Sequence, residues 1–249
     1  MERIDMTRVP RGGPALALVM RGAFALLAQA LVAAGFRLRH YPRPWHAAAA
    51  WWMVHSSLAD LGCLAVLRWL LRREGRHLGD LLDLDRQRLG RDLRSGLVDV
   101  AALAAGAAVS SVLQRPFYPT GLPPLVTVVR VPRWALAYGV LVWPALWVTT
   151  EELVYLGYAL PRLEAQLGHT GRAAALVVFF WGPVQHPTLP ALPDRRYIAF
   201  RMLTTLPIVG TQTAFYLWRG RRLPPLVLGH WVADVATGMT VALQPREKR

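Results

Sequence analysis

The chain has 249 residues, of which 54% are hydrophobic and 18% charged, with a net charge of +14. A soluble domain carries about a quarter charged residues; here the charges collect in short blocks between long apolar runs, which argues against a water-soluble globule. The positive charge is nearly all arginine, with Lys248 the only lysine, and it borders the apolar runs instead of lining one polar face, which fits snorkelling at membrane helix ends and not a nucleic-acid partner.

A bilayer span takes roughly 20 mostly apolar residues. The first such run, residues 14–36, follows Arg3, Arg8 and Arg11. Ala28-Gln29-Ala30 has the spacing of a signal-peptide cleavage site, but the run is long for a signal core and contains Arg21, so a retained span is expected. A second run covers residues 45–71 and includes Cys63, whose solitary state excludes an internal disulfide. The block 72–95 then holds Arg72, Arg73, Arg76, Arg86, Arg88, Arg91 and Arg94, with Leu78, Leu81, Leu82, Leu84 and Leu89 between them. That mixture predicts an amphipathic interfacial segment on the cytoplasmic side, with the N-terminus on the same side.

The third run, 96–113, is rich in alanine and glycine and is expected to pack centrally, because small side chains let helices approach. Residues 115–132 are proline-rich and read as a loop or interfacial elbow. Further runs cover 134–163, with a kink expected at Pro144, then 173–192, 198–218 and 223–243. The expected fold is an all-α polytopic transmembrane helix bundle of about seven spans (six to eight), a single membrane domain over residues 1–249, multi-pass in the plasma (cytoplasmic) membrane.

Ionisable residues inside spans cost about 2.5–3.5 kcal/mol each on insertion scales and need a reason. Thr149-Thr150-Glu151-Glu152 lies in a run of Trp, Leu, Val and Tyr. Adjacent carboxylates in a low dielectric suit general-base chemistry; the competing reading is a helix N-terminus at the membrane surface, where carboxylates are favoured. His186 stands in Gly182-Pro183-Val184-Gln185-His186-Pro187, where two prolines predict a broken helix, tolerated at membrane depth only inside protein or beside a wet cavity. A lone histidine there is otherwise a loop residue. His230 and Asp234 share one helix face at i, i+4, which suits metal binding, tautomer control or oxyanion stabilisation, or simply a polar pair facing a neighbouring helix. His55, Asp60 and Asp99 read as packing or interfacial groups, and His40, His46, His77 and His169 as solvated.

Glu151-Glu152 followed by Tyr155-Leu156, then Gly182-Pro183-Val184-Gln185-His186, then His230-Trp231-Val232-Ala233-Asp234 resemble the motifs of the CPBP group, the type II CAAX prenyl proteases and bacteriocin-processing or immunity (Abi) proteins. The resemblance covers residues 134–243, which it marks as the catalytic core, with N-terminal spans and the basic loop in 1–133. It departs at Leu156, where the family has arginine, and at Gly182, where it has phenylalanine; Arg162 and Arg172 are the nearby cations to replace the missing one.

The resemblance implies an intramembrane endopeptidase acting on a membrane-associated peptide or protein near the membrane surface. In that reading Glu151 activates water, His186 orients it or shares its proton, His230 and Asp234 stabilise the oxyanion, and Glu152 has a second role such as orienting a histidine. The resemblance leaves the cofactor open, since the family is described both as metallopeptidases and as metal-independent glutamate peptidases, and two histidines and a glutamate have the composition of an open zinc site. The alternatives are a catalytically impaired protein of the same fold, serving as a binding, immunity or maturation factor, and a proton-coupled carrier.

Overall fold

A computed structural model of the chain describes residues 5–119 and 131–243, and these are helical, with one isolated bridge between Thr188 and Ala191 and no named strand. Residues 120–130 of the expected proline-rich elbow lie outside the described residues. The elements in order are α1 (Gly13–Leu38), α2 (Pro44–Ala49), α3 (Trp52–Arg73), α4 (Leu78–Leu82), a 3-10 turn (Arg86–Arg88), α5 (Leu89–Gln114), α6 (Arg133–Leu141) and α7 (Trp143–Glu151). A first π segment (Glu152–Ala159), α8 (Leu160–Leu167), α9 (Thr170–Phe179), a second π segment (Phe180–Gln185), α10 (Arg195–Trp218) and α11 (Leu223–Leu243) complete it.

Three stretches among the described residues are long and apolar enough to cross a membrane: Gly13–Leu38, Trp52–Arg73 and Leu78–Gln114. Their apolar side chains face two ways. On α1, Ala17, Leu18, Ala25 and Ala28 are buried, while Leu16, Leu27 and Leu31 point outward. An outward leucine surface beside a buried stripe is what lipid, as the outer solvent, permits. The chain is a membrane protein.

The centre is the continuous helix from α7 through α8. Residues 150–163 are buried at every position, the signature of a helix surrounded on all sides. Pro144 sits near the N-terminus of α7, so the break falls just before it, at Val142: a proline ring clashes with the carbonyl of the preceding turn. Leu160 N–H closes the first π segment onto Tyr155, and Pro161, with no N–H to place, follows directly.

Alpha-helix α5 corrects an expectation. It begins at Leu89, ahead of the apolar run, and it is not central. Only one stripe is buried, comprising Asp92, Ser95, Gly96, Asp99, Leu103, Gly106 and Ser110, and Ala101, Ala104, Ala105, Ala107 and Ala108 point outward. The glycines of the stripe admit the neighbours: a Cβ on Gly96 would lie 2.8 Å from Leu228 of α11, and one on Gly106 3.2 Å from the Pro207 carbonyl of α10.

The arginine-rich end is held by ion pairs. Arg222, in the turn between α10 and α11, donates to Asp92 of α5 (3.0 and 2.7 Å) and to Asp83 after α4 (2.7 Å). Arg162 is fully buried, donates to Glu74 at the end of α3 through Nε (3.0 Å) and Nη2, and stacks 3.9 Å over Tyr158. His40, His46, His77 and His169 are exposed. Glu74→Ala leaves Arg162 as an uncompensated buried cation and is expected to cost about 3–5 kcal/mol of stability, most of which Glu74→Ala with Arg162→Leu restores. Thermal unfolding of both variants in one detergent measures the difference.

Candidate active site

Four expected site residues meet against α1 and α3. Glu151 ends α7, Glu152 opens the first π segment, and both are 0% exposed, which removes the membrane-surface capping reading. His230 Nδ1 lies 3.0 Å from Glu152 Oε1. The other imidazole nitrogen, Nε2, faces Glu151 Oε2 at 3.9 Å and Asp234 Oδ2 at 3.8 Å. Those spacings are too long for a direct hydrogen bond and suit a bridging water. Glu151 Oε2, Glu152 Oε2 and Asp234 Oδ2 have no hydrogen bond to any described residue. The i, i+4 pair of α11 is therefore not closed on itself: Glu152 takes one face of the imidazole, and the other opens toward two carboxyl oxygens.

His186 stands beside this group, at the end of the second π segment. The helix is irregular where the prolines stand, as expected, and it ends at His186, ahead of Pro187. The backbone runs through Pro183 in π form, and His186 keeps helical angles (φ −62°, ψ −32°) directly before Pro187. The wider π turn leaves room for the Pro183 ring, and such segments concentrate at functional sites. The ring of His186 is 6.3 Å from that of Trp147, centroid to centroid. Its Nδ1 faces Arg201 Nη2 at 3.3 Å, and the same guanidinium donates to the carbonyls of His186 (3.2 Å) and Leu189 (3.1 Å). A guanidinium only donates. Nδ1 is thus the acceptor, and the ring proton is on Nε2.

Several residues at the site carried no reading as site residues. Arg21 of α1 donates through Nη1 to Glu151 Oε1 and through Nε to Asp60 Oδ1 at 2.9 Å. Gln185 donates to the same Glu151 oxygen at 3.2 Å. Leu156 lies in the apolar core, Arg162 is committed to Glu74 and Arg172 is exposed, so the guanidinium at Glu151 comes from neither expected arginine. Asp60 and Asp99 are not isolated packing groups either. Gln212 of α10 has one end of its amide 3.4 Å from Glu152 and the other beside Asp99. With the NH2 toward Asp99 it donates at 2.9 and 3.2 Å, whereas the opposite orientation would set three acceptor oxygens together. The signal for Arg21, Asp60 and Asp99 was present, since each interrupts an apolar run. Arg201 interrupts the run 198–218 in the same way, while Gln212, being neutral, had no such signal. His55 is buried in α3 and takes no part in these contacts.

Two features of the donor set, as the side chains stand, weigh against zinc. Neighbouring ligands of a tetrahedral zinc ion stand roughly 3.3 Å apart, closer than the 3.8 and 3.9 Å here. Arg21 and Arg201 also place guanidinium groups against Glu151 and His186, where they repel a cation. No group of three His, Cys, Asp or Glu side chains among the described residues has metal-site geometry.

An apolar groove of about 380 Å³ opens beside the site, between the loop after α4 and the helices α7 and α11. Leu82, Leu84, Thr149, Val227 and Trp231 line it, Thr149 two residues before Glu151 and Trp231 next to His230. Depth follows from helix rise. Gly13 and Leu223 both start at the end that carries Leu81 and Tyr158, and Arg21 and His230 come eight and seven residues later. At about 1.5 Å per residue the site is about 10–12 Å in from the arginine-rich end. A Cβ on Gly229 would fall on the Asp99 side chain. Gly229→Ala is therefore expected to displace α5 from α11 at a cost of about 1–3 kcal/mol, read from thermal unfolding against Gly35→Ala, whose Cβ meets open space.

No curated protein and no solved structure matches the chain. A protein-family model does match: residues 132–236 fit the one described as type II CAAX prenyl endopeptidase, Rce1-like. Arg21, Asp60 and Asp99 lie before the matched stretch, while Glu151, Glu152, His186, His230 and Asp234 all lie inside it. The part of the chain that carries the paired glutamates and the two histidines is thus similar to the type II CAAX prenyl endopeptidases over residues 132–236.

Proposed function

We propose that this chain is an intramembrane endopeptidase that hydrolyses a peptide bond near the arginine-rich membrane face, using water activated by Glu151. The observation that carries the reading is the convergence of Glu151 Oε2 and Asp234 Oδ2, neither bonded to a described residue, on His230 Nε2 at 3.9 and 3.8 Å. A water between Glu151 and His230 reaches both. The family match over residues 132–236 supports the class of reaction.

Glu151 Oε2 takes the proton as the water oxygen bonds to the scissile carbonyl carbon. The carbonyl oxygen becomes an oxyanion and meets the Nε2–H that Arg201 imposes on His186, and, in its imidazolium form, the Nε2–H of His230. Glu152 holds the His230 ring by accepting from Nδ1. Asp234, in its protonated form, donates to the scissile carbonyl and positions it. Collapse breaks the C–N bond, and Glu151 returns its proton to the leaving amine. No step is routed through a metal.

The groove lined by Thr149 and Trp231 offers an apolar side chain or segment of a membrane-embedded peptide a place on the same two helices, α7 and α11, that carry Glu151 and His230. The chain is read as multi-pass in the cytoplasmic membrane, arginine-rich end inward. The α7–α8 helix, α9 with its π segment, α10 and α11 add to the three apolar stretches, for seven passes. Residues 134–243 form the core, with 1–133 packed around it. The catalytically impaired alternative drew on Leu156, and a guanidinium at Glu151 from elsewhere in the chain weakens it.

Glu151→Gln, His186→Ala and His230→Ala are each expected to lower cleavage of membrane-embedded peptides by roughly 100-fold or more, followed by mass spectrometry of the products. Parent-like rates in all three would overturn the peptidase reading. Arg201→Met frees the His186 tautomer and is expected to lower kcat roughly tenfold to 100-fold with KM little changed, measured on the same peptides.

A further inference from the structure

Arg21 is a fully buried arginine of α1; its Nε and Nη1 donate hydrogen bonds, and Nη2 stands against Asp60 without one. Nε and Nη2 face Asp60 Oδ1 of α3 at 2.9 and 2.8 Å, Nη1 donates to Glu151 Oε1, and the flat face stacks 3.9 Å over the Trp147 ring. Asp60 and Glu151 are as buried as Arg21 itself.

The fork is rigid and planar. With one edge fixed on Asp60 and the plane fixed on Trp147, the direction of Nη1 is set, and it points at one oxygen of Glu151. Gln185 Nε2 donates to that same oxygen at 3.2 Å. Two donors on Oε1 leave Oε2 as the only oxygen of Glu151 with a lone pair to spare, and Oε2 is the one that faces His230. Packing alone needs an apolar side chain at position 21; a charged one there has to be held by its partners.

We propose that Arg21, aimed by Asp60, is a positioning residue that keeps Glu151 in its carboxylate form with Oε2 turned to the water, so that the active site is completed by helices outside the family-matched stretch. A guanidinium does not lose its proton in a protein, so it supplies a permanent counter-charge at membrane depth. Without it, Glu151 would share a low-dielectric core with Glu152, Asp60 and Asp234, and a carboxyl group in that company holds a proton instead of taking one from water. The assignment rests on the peptidase reading for its purpose but not for its chemistry, because the state of Glu151 is measurable without any substrate.

The test uses the full-length purified protein. Removing Arg21 alone leaves two buried acids unpaired and risks the fold, so the principal variant is Arg21→Gln with Asp60→Asn, which removes one cation and one anion together and keeps both side chains close in size. Arg21→Lys keeps the charge. Dicyclohexylcarbodiimide attacks protonated carboxyl groups in apolar surroundings, and peptide mass spectrometry locates the adduct. At neutral pH the double variant is expected to label at Glu151 at least roughly tenfold faster than the parent, and Arg21→Lys close to the parent rate. Equal labelling of Glu151 in the parent and the double variant overturns the proposal.

Peptide cleavage is read in parallel. The double variant is expected to lose roughly 100-fold in kcat with KM little changed, a split that general loosening of the bundle does not give. A parent that cleaves no membrane peptide while Glu151 still labels only in the double variant removes the peptidase reading and leaves the Arg21 assignment standing. A parent that cleaves, with a double variant of equal kcat, removes the assignment and leaves the peptidase.

Discussion

A charge moved from water into a protein interior costs several kilocalories per mole even after relaxation, and it is held there only by partners that leave few lone pairs or protons unmatched. Five acids are gathered within this bundle: Asp60, Asp99, Glu151, Glu152 and Asp234. They come from α3, α5, the α7–π junction and α11, so no single helix can satisfy them. Arg21 answers two, His230 stands against three, and Gln212 and Gln185 supply neutral donors between them. The bundle is assembled around that matching, which is incomplete: one oxygen each of Asp60, Glu151, Glu152 and Asp234 has no bond to a described residue. The close approaches at Gly96, Gly106 and Gly229 are what bring α10 and α11 near enough to α5 for it to occur.

The two π segments serve the same requirement on the backbone. A regular helix gives each residue a fixed bearing; a π turn shifts the bearing of everything that follows. Glu152 begins one such segment and His186 ends the other. Their side chains leave the ordinary 3.6-residue pattern where the site needs them. Proline accompanies both, at Pro161 and Pro183, where a missing N–H and a bulky ring already disfavour the tighter turn.

That same feature marks the limit of what could be read from residues alone. The apolar runs announced helices in lipid, and Glu151-Glu152, His186 and His230–Asp234 stood out because charge inside such runs is costly. Reading stopped at pairing, because partners of a buried charge come from distant segments: 130 residues separate Arg21 from Glu151, and 15 separate Arg201 from His186. Proximity in sequence pointed to Arg162 for the guanidinium, but Arg162 faces Glu74. The two prolines pointed to an irregular backbone at His186, and the helix does end there; its π register, with no sequence period of its own, was not legible. In α5 alanine content does not distinguish burial from exposure, because lipid accepts alanine as readily as a helix neighbour does; the glycines and polar residues at helical spacing mark the packed stripe.

The depth of the site follows from these pairings as well. Arg21 cannot be drawn toward the surface without uncovering Asp60 and Glu151, and Gln29, two turns further along α1, both donates to and accepts from the backbone of Ala191 at 2.8 Å. Helix α1 is thus pinned at two levels, one on the carboxylate that faces the reacting centre and one on the segment just beyond His186. A helix fixed that way cannot slide to let bulk water in beside Glu151. Access is left to the side where α7 and α11 diverge toward Leu82 and Leu84. That opening is apolar and begins among the exposed arginines of the interfacial segment, so a chain entering there meets positive charge first and an oily groove second.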